Sequence, residues 1–290
     1  MKKYELTDET IEFYGRTLYR IRACRDFVTI AGKQVKVGDL GGFVETEENL
    51  SHDGMCWVYG DVKVYGNAKV CGNAKVCDNA KVCGNAEVYG NAEVYGNAKV
   101  YGNAEVWGNA EVCGNAKVWG DAKVWGDAEV CGDAEVWVDA EVYGNARVCG
   151  NAEVYGNAKV WGDAEVCGNA EVCGNAKVYG NAEVYGNAEV YGNAEVYGNA
   201  EVWGDARVCG NSEIQTSQDY IAISPIGSRN DVTTFYKTDS GIDVRCGCFN
   251  GSIEKFLKAV EETHGDNKYG KAYRAAAELA KIQIEVNNND

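Results

Sequence analysis

From Val58 to Glu213 the chain repeats one six-residue pattern of apolar and polar positions, without insertion, over 156 residues or 26 hexads. The phrase is Val, then Tyr, Cys or Trp, then Gly, then Asn or Asp, then Ala, then Lys or Glu. In a strand, alternate side chains face opposite ways, so Ala and Val share one face. Lys/Glu and Tyr/Cys/Trp share the other. The Gly-Asn pair that follows tolerates the left-handed backbone of a sharp corner. Each hexad therefore predicts a short strand plus a corner. A helix is disfavoured, because a Gly every six residues would cost roughly 1 kcal/mol each relative to Ala.

Outside the repeat the pattern changes. In residues 1–57, Glu9–Tyr14 is expected as a short helix or turn and Thr17–Cys24 as a strand. Phe27–Ile30 and Gln34–Val37 are expected as a hairpin around Ala31-Gly32-Lys33. In register with the hexads, Leu50 and Cys56 fall on the Ala slot and His52 on the Val slot. The first coil is then expected to begin near Leu50, with His52 in a capping turn. After Gln215, Tyr220–Ile226 reads as a strand, and Val232–Thr238 with Ile242–Cys246 as a hairpin. Ser252 is placed as the N-cap of a helix running to His264, with Phe256, Leu257 and Val260 as its apolar stripe. Tyr269–Val286 is expected as a second helix. The layout is a capping domain (1–57), a repeat domain (58–214) and a β-β-β-α-α module (215–290).

Val and Ala at alternate inward positions, with a corner in every hexad, resemble the hexapeptide-repeat superfamily. The lead-in Gly38–Val58 is similar to that of uncharacterised bacterial and phage proteins of that kind. The resemblance implies a mainly β chain, a left-handed parallel β-helix with three hexads per coil and about nine coils. A right-handed solenoid is the alternative. Stacked strands lie ~4.8 Å apart, so the expected rod is roughly 40 Å long. Tyr, Cys or Trp in the second slot departs from the small residues usual there in the family.

If the three hexads per coil that the resemblance implies hold, a coil is 18 residues and the hexads sort into three faces. One carries Cys71 and then only aromatics: Tyr89, Trp107, Trp125, Tyr143, Trp161, Tyr179 and Tyr197. Its charge slot is taken as the one after the corner, with Lys75 and Arg147 among Glu93, Glu111, Glu129, Glu165, Glu183 and Glu201. A second face holds Tyr59, Cys77, Tyr95, Cys113, Cys131, Cys149 and Cys167, flanked by Lys63, Lys81, Lys99 and Lys117 and then by Glu. The third is mixed. Asp78 and Val138 replace the corner Gly without a functional reason. An outward ladder of Tyr and Trp marks either an interface or mutual stacking of neighbours.

Charge narrows the partners. The chain carries a formal −16, of which −12 falls on residues 58–213. Direct binding of nucleic acid is not expected, since phosphate contacts need Lys and Arg. No apolar run approaches the ~18 residues of a membrane span, and the N-terminus lacks a signal-peptide core, so a cytoplasmic protein is expected. Nine of the 13 Cys sit in the aromatic slot. Tyr, Cys and Trp codons are single-base neighbours, so these Cys read as drift after duplication, kept as reduced thiols.

Catalytic chemistry is sparse. Members of the family include acyltransferases that use acyl-CoA and a catalytic His. Here the two His, His52 and His264, lie outside the regular hexads, and no loop interrupts the repeat. Cys246, Cys248 and His264 offer three zinc ligands where a structural site takes four, so a buried strand-end pair of thiols is the expected reading. No catalytic residue, metal or cofactor is assigned. The leading reading is a non-catalytic interaction or scaffold protein that presents its faces to a protein partner or to itself. One version is a phage-type acidic inhibitor of a host system. At net −12 over ~40 Å it carries about half the linear charge of duplex DNA. The alternatives are an acyl-CoA-dependent acyltransferase using His52 or His264, and a sponge binding a small aromatic ligand or nucleotide on Tyr/Trp shelves.

Overall fold

A computed structural model describes residues 2–30 and 32–285. It divides into two compact units, Met1–Gly156 and Asn157–Asp290, and each contains a parallel β-solenoid. Ala31 and Val286, to which the predicted hairpin and second helix extended, lie outside the described residues.

In the first unit every hexad contributes a short strand of charge plus Val, and strands 18 residues apart pair in parallel. Three sheets result. One pairs Lys63, Lys81, Lys99, Lys117, Glu135 and their following Val residues. The next holds Lys69, Glu87, Glu105, Lys123 and Glu141. The last holds Trp57, Lys75, Glu93, Glu111, Glu129 and Arg147. Ala and Val point inward and are fully buried along the repeat, as with Ala104, Val106, Ala110 and Val112. The core is therefore a column of small β-branched and methyl side chains, sealed by ladders of backbone hydrogen bonds.

The corners explain the Gly. Gly108 has φ +75°, and a Cβ there would lie 2.9 Å from both the amide nitrogen and the carbonyl oxygen of Gly126. Left-handed backbone and close coil stacking thus both require Gly. The two exceptions keep the backbone: Asp78 at φ +62° and Val138 at φ +64°. Asp78 compensates by accepting the Gly96 amide at 3.0 Å. Val138 has a β-branched side chain in a region such residues rarely adopt, and it is exposed.

The Asn of each corner also stacks. Asn73 donates to Asn91, Asn91 to Asn109, and Asn109 to Asp127, at 3.1, 3.0 and 2.8 Å. The other two corners of this unit repeat the arrangement, ending at Asp133 and Asp121. An amide accepts and donates, so it relays the ladder, whereas a carboxylate accepts only. Asn and Asp are therefore not equivalent corner residues.

The N-terminal cap differs from expectation. Tyr4–Phe13 is one long strand, antiparallel to Arg16–Ala23, and no helix forms at Glu9–Tyr14. The tight turn Tyr14-Gly15, both at positive φ, lets the strands run on to their ends. Arg16–Ala23 pairs with Leu40–Val44, which then runs parallel to Lys63–Val64 and covers the open edge of the first coil. Phe27–Val28 and Gln34–Val35 form the predicted hairpin. Leu50 bridges Val70, not Ala68, so the incoming chain is displaced by two residues from the hexad register. At the displacement Asn49 donates to the Gly66 and Ala68 carbonyls at 3.0 and 2.9 Å. Register is recovered at Trp57, opposite Lys75.

In the second unit the hexads from Lys159 to Ile214 form three parallel sheets of the same kind. Tyr220–Ile226, Asp231–Thr238, Gly241–Cys246 and Phe249–Ser252 then make a four-stranded antiparallel sheet. The fourth strand was not anticipated: the Cys246–Gly251 segment turns back on itself at Gly247, whose φ is +57°. Helix α1 (Ile253–His264) begins at Ser252, whose side chain accepts the Lys255 amide, and α2 (Lys268–Gln283) is capped by Asn267. Phe235, Phe256, Val260, Tyr273 and Ala277 form the module's core. Thr234 accepts the Arg207 amide, and Tyr236 meets the Cys209 thiol at 2.9 Å, so this sheet caps the last coil. No helix among the described residues is long and apolar enough to cross a membrane.

Candidate functional site: the aromatic columns

The second slot of most hexads stands on the outer surface, half-buried between coils, with Cys113 and Cys209 buried and Trp203 exposed as exceptions. In the first unit Tyr89, Trp107, Trp125 and Tyr143 stack in sequence, with centroids 5.6, 4.9 and 4.4 Å apart and planes within 3° of parallel. In the second unit Trp161, Tyr179 and Tyr197 stack at 4.4 and 5.2 Å. The ring faces therefore serve one another, and the ring edges meet solvent. The Tyr89 hydroxyl donates to Glu105 at 3.1 Å and that of Tyr179 to Glu195 at 3.0 Å, which ties each ring to the next coil.

The carboxylates predicted to share this face do not. Glu93, Glu111 and Glu129 stand in the neighbouring sheet, in the strands that carry Tyr95, Cys113 and Cys131. Glu165, Glu183 and Glu201 likewise stand in a separate sheet from Trp161, Tyr179 and Tyr197. A corner lies between each aromatic slot and the charge that follows it, so that charge belongs to the next sheet. The true companions of Tyr89–Tyr143 are Glu87, Glu105, Lys123 and Glu141, preceding them on the same strands, with Lys69 beside Cys71. Most of the misassigned carboxylates have partners. Glu93 pairs with Lys75 at 2.7 Å and Glu129 with Arg147 at 3.2 Å. Glu111 accepts the Tyr95 hydroxyl at 2.9 Å, and Glu201 that of Tyr185 at 3.2 Å.

The same displacement moves the lysine run. Lys63, Lys81, Lys99 and Lys117 lie with Tyr65, Cys83, Tyr101 and Trp119, on the face read as mixed. That face holds a second stack, Tyr101, Trp119, Trp137 and Tyr155, at 5.7, 4.9 and 4.5 Å. Eighteen-residue spacing alone would have revealed it, because four consecutive members are aromatic.

On the third column, ligand atoms of Cys113, Glu129 and Cys131 lie within 4.8 Å of one another. Burial, and then Glu129, push the Cys131 thiol up to about 12, and burial raises Cys113 as well. The group offers three donors where a structural zinc site takes four, and one of them, Glu129, also pairs with Arg147 at 3.2 Å. Cys246, Cys248 and His264 do not converge on one point either. They share with Arg229 and Tyr273 a 260 Å³ cavity over Phe256, with Cys246 half-buried and Cys248 exposed instead of paired. His52 stacks on Tyr4 at 4.4 Å, and its Nδ1 accepts the Lys3 amide at 3.2 Å, which places it in the N-terminal cap.

No family model matches the chain, and no curated protein matches it.

Proposed function

We propose that this chain is a non-catalytic interaction scaffold of the left-handed hexapeptide-repeat kind, which binds a protein partner along the column Tyr89–Trp107–Trp125–Tyr143. The observation that carries the reading is the continuity of that column, with one half-exposed ring on every coil and no break. Tyr and Trp contribute large contact area at low entropic cost. Held by their neighbours, these rings are already ordered before a partner arrives. The net charge of −16 favours a basic partner over a second copy.

The test is affinity capture with the immobilised full chain, wild type beside the double variant Trp107→Ser, Trp125→Ser. A retained protein is then purified and titrated against both. The reading expects a basic protein whose affinity falls about tenfold or more in the variant. Equal affinity for both forms would move the interface away from the rings.

A further inference from the structure

The second aromatic stack has a missing rung. From Tyr101 to Tyr155 every coil supplies a ring, but the coil before Tyr101 supplies Cys83, and the coil before that Tyr65. Coils are ~4.8 Å apart, so the backbones of Tyr65 and Tyr101 are about 9.6 Å apart, and the Tyr65 hydroxyl leans toward the Cys83 thiol between them. A planar ring that displaced this contact at the level of Cys83 would sit about 4.8 Å from the levels of both tyrosines, inside the stacking range of ~4.5–7 Å. A cavity of 270 Å³ opens there, lined by both tyrosines, Cys83, and the side chains of Tyr14, Lys81, Lys99 and Lys117.

The lysines give this slot a charge opposite to that of the chain. Lys81, Lys99 and Lys117 are in-register neighbours, an arrangement that is unfavourable without an anion between them. Lys117 is paired with Glu135. Among the described residues no carboxylate pairs with Lys81 or Lys99, although both are half-buried. The hairpin tip closes one side. Phe13 meets Tyr65 edge-on at 5.6 Å, and Lys81 lies over the Phe13 ring at 5.1 Å. Tyr14 is 80% exposed and held at φ +49°, a strained conformation for a ring-bearing residue.

We infer that this slot is a mononucleotide site, with the base inserted over Cys83 between Tyr65 and Tyr101 and the phosphates on Lys81 and Lys99. Base–aromatic stacking and Lys–phosphate contact are the two interactions such a ligand needs, and here they stand side by side. The site is on a different sheet from the column proposed to bind protein, so the two can fail separately.

Calorimetric titration of the full chain with ATP, adenosine and pyrophosphate tests it. ATP binds with one site per chain, and adenosine and pyrophosphate each bind at least about tenfold more weakly, because each supplies one of the two interactions. Cys83→Tyr fills the slot with the ring its neighbours carry and lowers ATP affinity about tenfold or more, whereas Cys83→Ala, which keeps the slot open, retains it. Lys99→Ala weakens ATP severalfold and leaves adenosine unchanged. The variant Trp107→Ser, Trp125→Ser binds ATP as wild type does. Absence of ATP binding at millimolar concentration, or wild-type affinity in Cys83→Tyr with its fold intact by circular dichroism, overturns the inference.

Discussion

Gly108→Ala is expected to lower the stability of the solenoid by about 2–5 kcal/mol. Two costs add. An L-residue at left-handed φ loses roughly 1–2 kcal/mol, and overpacking against a rigid neighbour typically adds about 1–3 kcal/mol. The neighbour is backbone: the added Cβ would meet the Gly126 nitrogen and oxygen at 2.9 Å, and neither can move without shifting the next coil. Gly210→Ala separates the terms. Its φ is +73°, but a Cβ there meets nothing within 4 Å, so only the conformational cost of roughly 1–2 kcal/mol applies. Val138→Gly should act in the opposite direction and stabilise by roughly 1–2 kcal/mol, because it removes a β-branched residue from φ +64°. Urea midpoints of the three variants against wild type measure the set. Equal losses at Gly108 and Gly210 would show that coil stacking is looser than these contacts require.

Alkali should dismantle the fold. The outer columns and the C-terminal sheet bury phenols and thiols that ionise only with difficulty. Burial, reinforced by Glu105, raises Tyr89 to about 12; burial, with Glu195, does the same for Tyr179. Burial raises Cys77 to about 11, Cys131 to about 12 and Tyr220 to about 12. Tyr236 and Tyr191 are pushed further in the same direction, by burial and by Cys209. In the unfolded chain these groups titrate near 9 for thiols and 10 for phenols. Each binds its proton more tightly when folded, so its contribution to stability is fully present below about pH 9. That contribution is lost as the pH rises from about 9 through 12. Urea midpoints measured across that range should fall steeply, with tyrosinate absorbance appearing together with loss of β-sheet signal. Phenols that titrate near pH 10 in a chain whose midpoint does not move would contradict the account.

The repeat made the parallel solenoid legible, because alternation and a Gly corner leave few ways to bury Val and Ala. The column Cys71 to Tyr143 was legible for the same reason, since every 18th residue falls on one sheet. Its charged companions were not. Glu87 lies two residues before Tyr89 and Glu93 four after it, and it is the corner at Gly90-Asn91 that leaves Glu87 on the strand of Tyr89 and puts Glu93 on the next. The Asn relay was hidden because Asn and Asp read alike beside the positive-φ Gly of the corner and differ only in donating a hydrogen bond onward. In the cap, Tyr14-Gly15 carried a hairpin signal that the helical spacing of Glu9–Tyr14 obscured. The two-residue displacement at Leu50 had no local signal, for the contacts that accompany it, from Asn49 to carbonyls of the following coil, are 17 and 19 residues away in sequence. The missing rung at Cys83 was in the sequence too, but it gains meaning only beside the lysines that the correct sheet assignment brings to it.

The outer surface is built on rings stacked one per 18-residue coil. A pair of double-mutant cycles tests that directly. Trp107→Ala with Trp125→Ala joins rings whose centroids are 4.9 Å apart. Trp107→Ala with Trp119→Ala joins rings twelve positions apart in sequence, on different sheets. The account predicts a coupling of about 0.5–1.5 kcal/mol for the first pair and none beyond error for the second. Coupling between Trp107 and Trp119, with none between Trp107 and Trp125, would contradict the three-sheet coil.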